Sequence, residues 1–264
     1  MENYTLAIRL YVYLLSALVG LCTGSFLLCA VSRTAEHRSF LTGRSRCDAC
    51  GHTLGPLELI PVFSYLFQRG RCRHCGAKIP ASCPITELVS GAVFVSAFAA
   101  RGLTSGTAEL LLLGILLLWI SINDMQTMEI PDAAILAGIA VRVLFILLSG
   151  DILHTLLSSL LGGVSVSAPV LLVVLAYEKA KKVEAMGGGD IKLLFMTGLF
   201  FPWQLNLMAV IFACVYGIAA ALILNHGKED GARRPFPFGP AIAAGVWTAA
   251  LIGAPLLSWY TSLF

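Results

Sequence analysis

The stretch LLLLGILLLWISIND, residues 110–124, is a nearly uninterrupted apolar run that ends in a carboxylate. Such a run is typical of a helix that crosses a bilayer, because crossing the hydrocarbon core takes about 20 apolar residues. A carboxylate at the end of a membrane span is costly and is a functional hypothesis by default. The stretch therefore predicts a membrane architecture and points to Asp124 as the first candidate functional residue.

The composition of the whole chain agrees with this stretch. Of 264 residues, 58% are hydrophobic and 12% are charged, about half the charged fraction of a soluble domain, and the mean hydropathy is +0.84. We predict an all-α polytopic membrane protein with about eight transmembrane helices, or seven if the short sixth segment does not cross. The apolar segments lie near residues 4–31, 84–100, 108–123, 132–149, 155–177, 191–201, 204–224 and 238–262.

One long polar insertion, residues 32–83, separates the first two apolar segments. It carries eight basic residues against three acidic ones, and the positive-inside rule places such a loop in the cytoplasm. Counting eight spans from there puts 14 of the 18 Lys and Arg residues on the cytoplasmic side and the N-terminus outside. We therefore predict a retained first transmembrane helix at 1–31, a small cytoplasmic domain at 32–83 and a transmembrane domain at 84–264.

Four of the eight cysteines form two CxxC pairs in this loop, CDACG and CRHCG, with 21 residues between them. Two such pairs suit tetrahedral Zn²⁺, and the glycine after each pair permits a tight turn. Four Cys ligands leave no open position, so the metal is expected to be structural. The alternative is two disulfides, which the reducing cytoplasm disfavours. The predicted ligands are Cys47, Cys50, Cys72 and Cys75, whereas Cys22, Cys29, Cys83 and Cys214 are expected to be small packing residues.

Acidic residues are rare in the apolar segments, and two of them lie on the same predicted face of the membrane. Asp124 ends the third segment, and Asp190 follows three glycines at the end of the 178–190 loop. Two neighbouring carboxylates shielded from water share one proton, so the ionised one can activate water while the protonated one acts as an acid. The pair predicts aspartic-protease chemistry. The adjacent residues predicted to let a substrate backbone approach closely are Gly187, Gly188 and Gly189.

Structural alternatives stay open at this point. Asp190 and Asp132 lie where a helix start is expected, and a carboxylate there is favourable as a cap or in the field of the helix dipole. Glu87, three residues after Pro84, has the same helix-start interpretation. Arg142 in the fourth segment either reaches toward the interface or pairs with an acid.

Five motifs follow one another along the chain: GSF at 24–26, the cysteine-bearing loop, INDMQTMEIPD at 122–132, GGGD at 187–190 and PFPFGP at 235–240. In this order they resemble the motifs of the prepilin peptidases, or type IV leader peptidases, a family of GxGD-type membrane aspartic proteases. The resemblance implies that Asp124 and Asp190 are the catalytic dyad and that the four CxxC cysteines bind zinc. It also implies removal of the leader from type IV prepilins or pseudopilins, after a glycine, at the cytoplasmic face of the bacterial inner membrane.

The resemblance implies a second activity, because many members of that family methylate the new N-terminus with S-adenosylmethionine. The segment ASCPITEL at 81–88 lacks the Arg-Tyr pair of many members, and the segment after GSF lacks their Asn-Val run. These departures concern the methyltransferase and leave the dyad intact. No glycine-rich nucleotide-binding motif occurs, so the sequence does not place the S-adenosylmethionine site. The expected partners are a prepilin or pseudopilin substrate and membrane lipid, with no nucleic acid.

Two other classes of protein remain as alternatives. An ion-coupled transporter would place acids near the bilayer midplane on broken, repeated helices, whereas these acids cluster at one face. A non-catalytic zinc-ribbon scaffold of a pilus or secretion machine would tolerate the loss of both aspartates. The sequence does not say which aspartate is the base. Glu129 and Asp132 are expected to attract the basic leader.

Overall fold

The computed structural model describes residues 6–36, 38–39, 43–183, 186–225 and 236–263, and these are almost entirely helical. The helices are α1 (Leu6–Ala35), α2 (Phe63–Phe67), α3 (Ser82–Arg101), α4 (Ser105–Thr127), α5 (Asp132–Leu147), α6 (Ile152–Lys181), α7 (Gly188–Gly198), α8 (Trp203–Asn225) and α9 (Gly239–Thr261), with a 3-10 turn at Pro56–Glu58. The β-pairing in these ranges consists of two isolated bridges, Arg46 with Thr53 and Arg71 with Lys78.

Each of the eight apolar segments forms a helix, which confirms the prediction of an all-α membrane protein. Six of the described helices, α1, α3, α4, α6, α8 and α9, are long and apolar enough to cross a bilayer. The other two, α5 and α7, have 16 and 11 residues, or about 24 and 16 Å of helix. As expected for the 191–201 segment, α7 is too short to cross a hydrocarbon core of about 30 Å.

The long helices present apolar side chains outward. Near the end of α8, Leu222 and Ile223 are 67% and 75% exposed. Contact of such surface with water costs about 25 cal/mol per Å². These outer faces are therefore expected to lie against lipid chains.

The described chain divides into two compact units, residues 1–122 and 123–264. The first contains the cysteine-bearing loop, and the second contains both Asp124 and Asp190. The domain boundaries predicted at residues 31 and 83 stay a prediction.

In the first unit, α1 and α3 approach each other closely through small residues. A Cβ atom on Gly20 would lie 2.8 Å from the Cα of Gly91, and one on Gly24 would lie 2.7 Å from the Cβ of Ser90. Gly20 and Gly24 have the GxxxG spacing that allows close approach of membrane helices. A buried apolar cluster of Leu27, Val31, Leu118 and Ile122 completes this packing.

In the second unit, α7 is held against α6 at a crossing of small residues. A Cβ on Gly198, at the end of α7, would lie 2.8 Å from the Cα of Gly163 in α6. Asn206 of α8 donates from Nδ2 to the carbonyl oxygens of Gly162, Gly198 and Phe201, at 3.0, 2.9 and 3.0 Å. A helix that is shorter than the bilayer needs protein donors for its last carbonyl groups. Asn206 supplies them and so anchors the end of α7.

Candidate active site and metal centre

The four predicted cysteine ligands come together in the first unit. The sulfur atoms of Cys47, Cys50, Cys72 and Cys75 all lie within 4.8 Å of one another, and Cys47 Sγ is 3.8 Å from Cys75 Sγ. Thiolates at about 2.3 Å from a tetrahedral Zn²⁺ are about 3.8 Å apart. All four are free thiols in this structure. The cluster can hold a metal ion.

The same backbone turn forms each CxxC pair. The N–H of Gly51 donates to the Cys47 carbonyl at 2.8 Å, and the N–H of Gly76 donates to the Cys72 carbonyl at 2.9 Å. Gly51 and Gly76 have φ values of 70° and 73°, in the left-handed region that favours glycine. The two turns thus repeat one local design, as the two CxxCG motifs predict.

The two thiols of the first CxxC pair have opposite pKa shifts. Backbone hydrogen bonds from Cys50 and Ala49 lower the pKa of the Cys47 thiol to about 7, toward the thiolate that a metal ligand requires. Although a backbone hydrogen bond from His52 lowers the pKa of the Cys50 thiol, burial and hydrogen bonds with Cys75 and Cys47 raise it to about 11. His52 and His74 stack on each other with ring centroids 4.7 Å apart. They flank the pairs without belonging to the four-ligand group.

In the second unit, Asp124 lies in the last turn of α4 and is only 5% exposed. Its Oδ2 accepts a hydrogen bond of 2.8 Å from the N–H of Gly239, the first residue of α9. A Cβ on Gly239 would lie 2.7 Å from that oxygen, so only glycine permits this approach. The start of α9 thus binds one carboxylate oxygen with a free N–H group, as helix N-termini bind anions.

Asp190 is the third residue of α7, and Gly187 is the residue that caps this helix. The alternative that Asp190 is the N-cap of this helix is therefore wrong. Burial, and then the negative charge of Asp124, raise the pKa of the half-buried Asp190 carboxyl to about 6. The influence of Asp124 on this pKa indicates that the structure brings the two predicted acids together.

The three glycines before Asp190 have different surroundings. A Cβ on Gly188 would meet open space, and one on Gly187 would lie 3.5 Å from Asp190 Oδ2. A Cβ on Gly189 would lie 3.0 Å from the Cβ of Ile130. Gly187 and Gly188 therefore leave room beside the acid, while Gly189 allows close packing on the segment before α5. The predicted substrate contact of these glycines stays a prediction.

Two other acids singled out from the sequence have structural partners. Glu87 is the sixth residue of α3, beyond its first turn, and its Oε2 accepts the N–H of Val62 at 2.7 Å. It holds a tight turn at Val62, which has a φ of 62°. Asp132 is the first residue of α5, as the helix-start interpretation requires, and its Oδ1 lies 2.7 Å from Nζ of Lys192.

Arg142 takes a hydroxyl and an aromatic ring as partners. Its Nε and Nη2 donate to Ser159 Oγ at 3.0 and 2.7 Å. Its guanidinium lies 5.9 Å from the centroid of the Phe200 ring, within the range of a cation–π interaction. Arg142 thus joins α5 to α6 and to the segment that follows α7.

Gly239 is the site residue that sequence reasoning did not assign. The motif PFPFGP contains this glycine at the start of an apolar segment, and this was the feature that could have drawn attention to it. Nothing in that motif predicts a contact with a residue so far away in the chain. The start of the motif, Pro235, lies outside the described residues.

Comparison with known proteins identifies a family for this chain. The model of the bacterial peptidase A24 N-terminal domain matches residues 18–100, and that of the type IV leader peptidase family matches residues 111–222. No solved structure matches the chain.

Curated relatives match over most of this chain. The prepilin leader peptidase/N-methyltransferase of Bacillus subtilis (strain 168) is 34% identical over 248 residues, covering 92% of this chain and 96% of the relative. Proteins of the same name from Burkholderia pseudomallei (strain 1026b) and Aeromonas salmonicida (strain A449) are 32% and 33% identical. They cover 86% of this chain, and the matches span 73% and 77% of those relatives. Because the family models and these relatives cover most of its length, the chain belongs to the type IV leader peptidase family.

Proposed function

We propose that the protein is a membrane aspartic endopeptidase that removes the leader peptide from type IV prepilins or pseudopilins, with Asp124 and Asp190 as its catalytic residues. One observation carries the proposal. The two acids lie far apart in the chain, yet the charge of Asp124 contributes to raising the pKa of Asp190 to about 6. Family membership supports the reaction type, and the names of the relatives supply the substrate class.

The geometry favours distinct roles for the two acids. Oδ2 of Asp124 is an acceptor for the Gly239 N–H, and the raised pKa of Asp190 keeps a proton on most copies of that carboxyl below about pH 6. Asp124 removes a proton from water, whose oxygen attacks the scissile carbonyl carbon, while Asp190 donates its proton to the carbonyl oxygen. When the C–N bond breaks, Asp124 passes its proton to the leaving amine and Asp190 regains one from the hydroxyl. The pair returns to one shared proton.

Substrate binding uses the open side of Asp190. Gly187 and Gly188 leave space that an extended substrate backbone can enter. Glu129 follows Asp124 closely in the sequence, and its side chain is exposed. Its negative charge attracts a basic leader. Asp132, the other acid expected to attract the leader, is already paired with Lys192.

The protein is an integral protein of the bacterial inner membrane, with the cysteine-bearing loop and the dyad on the cytoplasmic side. Six long apolar helices support membrane insertion. The concentration of Lys and Arg in residues 32–83 and in the 178–190 and 225–237 loops supports this orientation. Lys228, Arg233 and Arg234 of the last loop lie outside the described residues.

The four-cysteine cluster binds a structural Zn²⁺. The spacing of the sulfur atoms fits tetrahedral coordination. Bound Zn²⁺ would contribute folding free energy to the loop and would have no part in the peptidase reaction. Cys47, Cys50, Cys72 and Cys75 would each supply one thiolate.

The same chain is proposed to methylate the new N-terminus with S-adenosylmethionine, because the relatives carry that activity in their names. Two cavities of about 240 and 340 Å³ lie in the described part of the chain. Neither lining contains an Asp or Glu, the residues that bind ribose hydroxyls. Neither cavity therefore fits S-adenosylmethionine.

The test uses purified protein in detergent with a prepilin and mass spectrometry of the product. Asp124→Asn and Asp190→Asn should each lower the rate of leader removal by about 10²- to 10⁴-fold, because each removes a proton-transfer group. Leader loss reports the peptidase, and a mass gain equal to one methyl replacing hydrogen reports the methyltransferase.

Asp151→Asn is the matched control. Asp151 caps α6 by accepting the His154 N–H at 3.2 Å, and Asn caps helices equally well, so this variant should cleave normally. Wild-type cleavage by either dyad variant would exclude that residue from the mechanism. An ion-coupled transporter or a non-catalytic scaffold would show no leader loss with any variant.

A further inference from the structure

The cysteine-bearing loop carries a cluster of exposed apolar side chains, although it lies outside the long apolar segments of the chain. Exposed apolar patches mark contact with a partner or with a membrane. We propose that an anchor segment, residues 57–67, inserts its apolar side chains into the phospholipid layer beside the start of α3. The side chains concerned are those of Leu57, Leu59, Ile60, Phe63, Leu66 and Phe67.

The short helix α2 directs apolar side chains to one side. Phe63, Leu66 and Phe67 have the i, i+3, i+4 spacing that puts side chains on the same face of a helix. Phe67 is 78% exposed. Tyr65 instead contacts the loop, since a Cβ on Gly70 would lie 3.0 Å from the Tyr65 Oη. Helix α2 therefore has one face against the loop and an apolar face that the described residues leave open.

A hydrogen bond fixes the depth of the anchor segment along α3. Oε2 of Glu87 accepts the N–H of Val62, in the middle of the segment, at 2.7 Å. Helix α3 has 20 residues and is long and apolar enough to cross a bilayer. Its length of about 30 Å equals the thickness of the hydrocarbon core. Because Glu87 lies about 7.5 Å along the helix from Ser82, crossing by α3 puts the segment at the boundary between headgroups and acyl chains.

The backbone at the centre of the anchor segment is strained. Val62 has φ 62° and ψ −51°, and the N–H of Phe63 donates to the carbonyl oxygen of Pro61 at 2.6 Å. These values describe a γ-turn of the rare, strained form. Such strain persists only where the surrounding structure enforces it, and it is most common at functional sites. The buried carboxylate of Glu87 enforces it here by accepting the Val62 N–H.

Basic residues follow the anchor segment directly. Arg69, Arg71 and Arg73 are all exposed. Basic groups beside apolar ones are typical of segments that lie in the membrane interface, because the cations bind lipid phosphate groups while the apolar side chains enter the acyl region. The acid of the segment, Glu58, is half-buried, and its Oε2 accepts the N–H of Gly55 at 2.8 Å. The exposed charges therefore complement a phospholipid surface.

The neighbouring turns of α3 favour lipid over a protein partner. Ile85, Leu88 and Val89, which flank Glu87 in the sequence, are exposed apolar residues of a helix able to cross the bilayer. Such residues are expected to face lipid chains. Phospholipid thus surrounds α3 at the depth where Glu87 holds the anchor segment. The loop would then rest on the membrane surface, whether or not the protein is a peptidase.

The experiment places a photoreactive residue in the anchor segment of the whole chain. p-Benzoylphenylalanine, which cross-links to nearby C–H bonds under ultraviolet light, replaces Phe67 in one protein and Leu57 in another. Each protein is reconstituted in vesicles of phosphatidylethanolamine and phosphatidylglycerol, irradiated and analysed by mass spectrometry. Both should gain the mass of one phospholipid, because both side chains are exposed at the depth of the lipid interface.

Two controls carry the same photoreactive residue on other helices. At Ile223, which is exposed on α8, it should form the phospholipid adduct. Lys181 is the exposed last residue of α6, about 43 Å from Ile152 along that helix. It should form no adduct, because it lies beyond a hydrocarbon core of about 30 Å.

Three results would overturn the inference. The first is an adduct at Ile223 without one at Phe67 and Leu57. The second is an adduct at Lys181 as abundant as that at Phe67. The third is cross-linking of the anchor segment to a second copy of the chain, or to added prepilin, in place of phospholipid.

Discussion

The metal centre and the acid dyad are built in opposite ways. The four thiols lie within one loop, and two local turns with the same hydrogen bonds bring them together. The dyad joins the end of α4 to the start of α7, and the start of α9 completes it through the Gly239 N–H. A locally built site should depend on its own ligands, whereas a site built by helix packing should respond to changes at distant contacts.

The largest effect is expected at the metal centre. Cys72→Ser replaces the one buried cysteine of the cluster and should abolish stoichiometric zinc binding, because a tetrahedral structural site requires all four ligands. Metal analysis and limited proteolysis of residues 43–81 measure the outcome. Cys214→Ser, an exposed cysteine on α8, should keep full zinc content. Full zinc content in Cys72→Ser would remove that cysteine from the ligand set.

At the dyad, a substitution outside both acids should be damaging. Gly239→Ala places a Cβ 2.7 Å from Asp124 Oδ2, so the carboxylate must move. Misplacement of this kind costs about 10²-fold in rate, measured as kcat for leader removal. Gly150→Ala, which meets open space, is the matched control. Equal rates for the two variants would show that the Gly239 contact does not position Asp124.

A smaller effect is expected from a substitution of Asn206, which binds the C-terminal end of α7. Asn206→Asp keeps the shape of the side chain but loses the donor to three carbonyl groups. Leaving buried carbonyls unsatisfied costs about 1–3 kcal/mol, seen as a lower Tm in detergent. The same amide-to-acid change at the half-buried Gln204 should lower the Tm less. Equal Tm values would argue against the anchor.

The smallest effect is expected in the pH dependence of kcat/KM. Because the fold raises the pKa of Asp190 to about 6, kcat/KM should fall about tenfold per pH unit above that value as the general acid is lost. Protonation also favours the folded state. This stabilisation is complete below the unfolded pKa of about 3.9 and is lost as the pH rises through about 6. A profile that stays flat to pH 8 would contradict the assignment of Asp190 as the acid.

The sequence predicted those parts of the structure that depend on neighbouring residues. A run of about 20 apolar residues has few stable forms in a bilayer other than a helix, so eight apolar segments gave eight helices. Two CxxCG motifs form two similar turns because each turn closes on its own hydrogen bonds. The order of the motifs also predicted the family.

Side-chain partners were less predictable. Asp190 could have capped α7, and Glu87 could have served a helix start. In the structure Gly187 caps α7, and Glu87 binds the N–H of Val62. Which donor a carboxylate meets depends on helix crossings such as that of Gly163 with Gly198, and a single sequence does not state which helices cross.

By itself, the sequence determined the helical membrane architecture and singled out the four cysteines and the two acids, because hydropathy and short motifs act over neighbouring residues. Only the tertiary structure decided that Asp124 and Asp190 are neighbours, that Gly239 binds Asp124 and that Lys192 pairs with Asp132. Those choices depend on how close helices from distant parts of the chain can approach, and small residues at their crossings decide that distance.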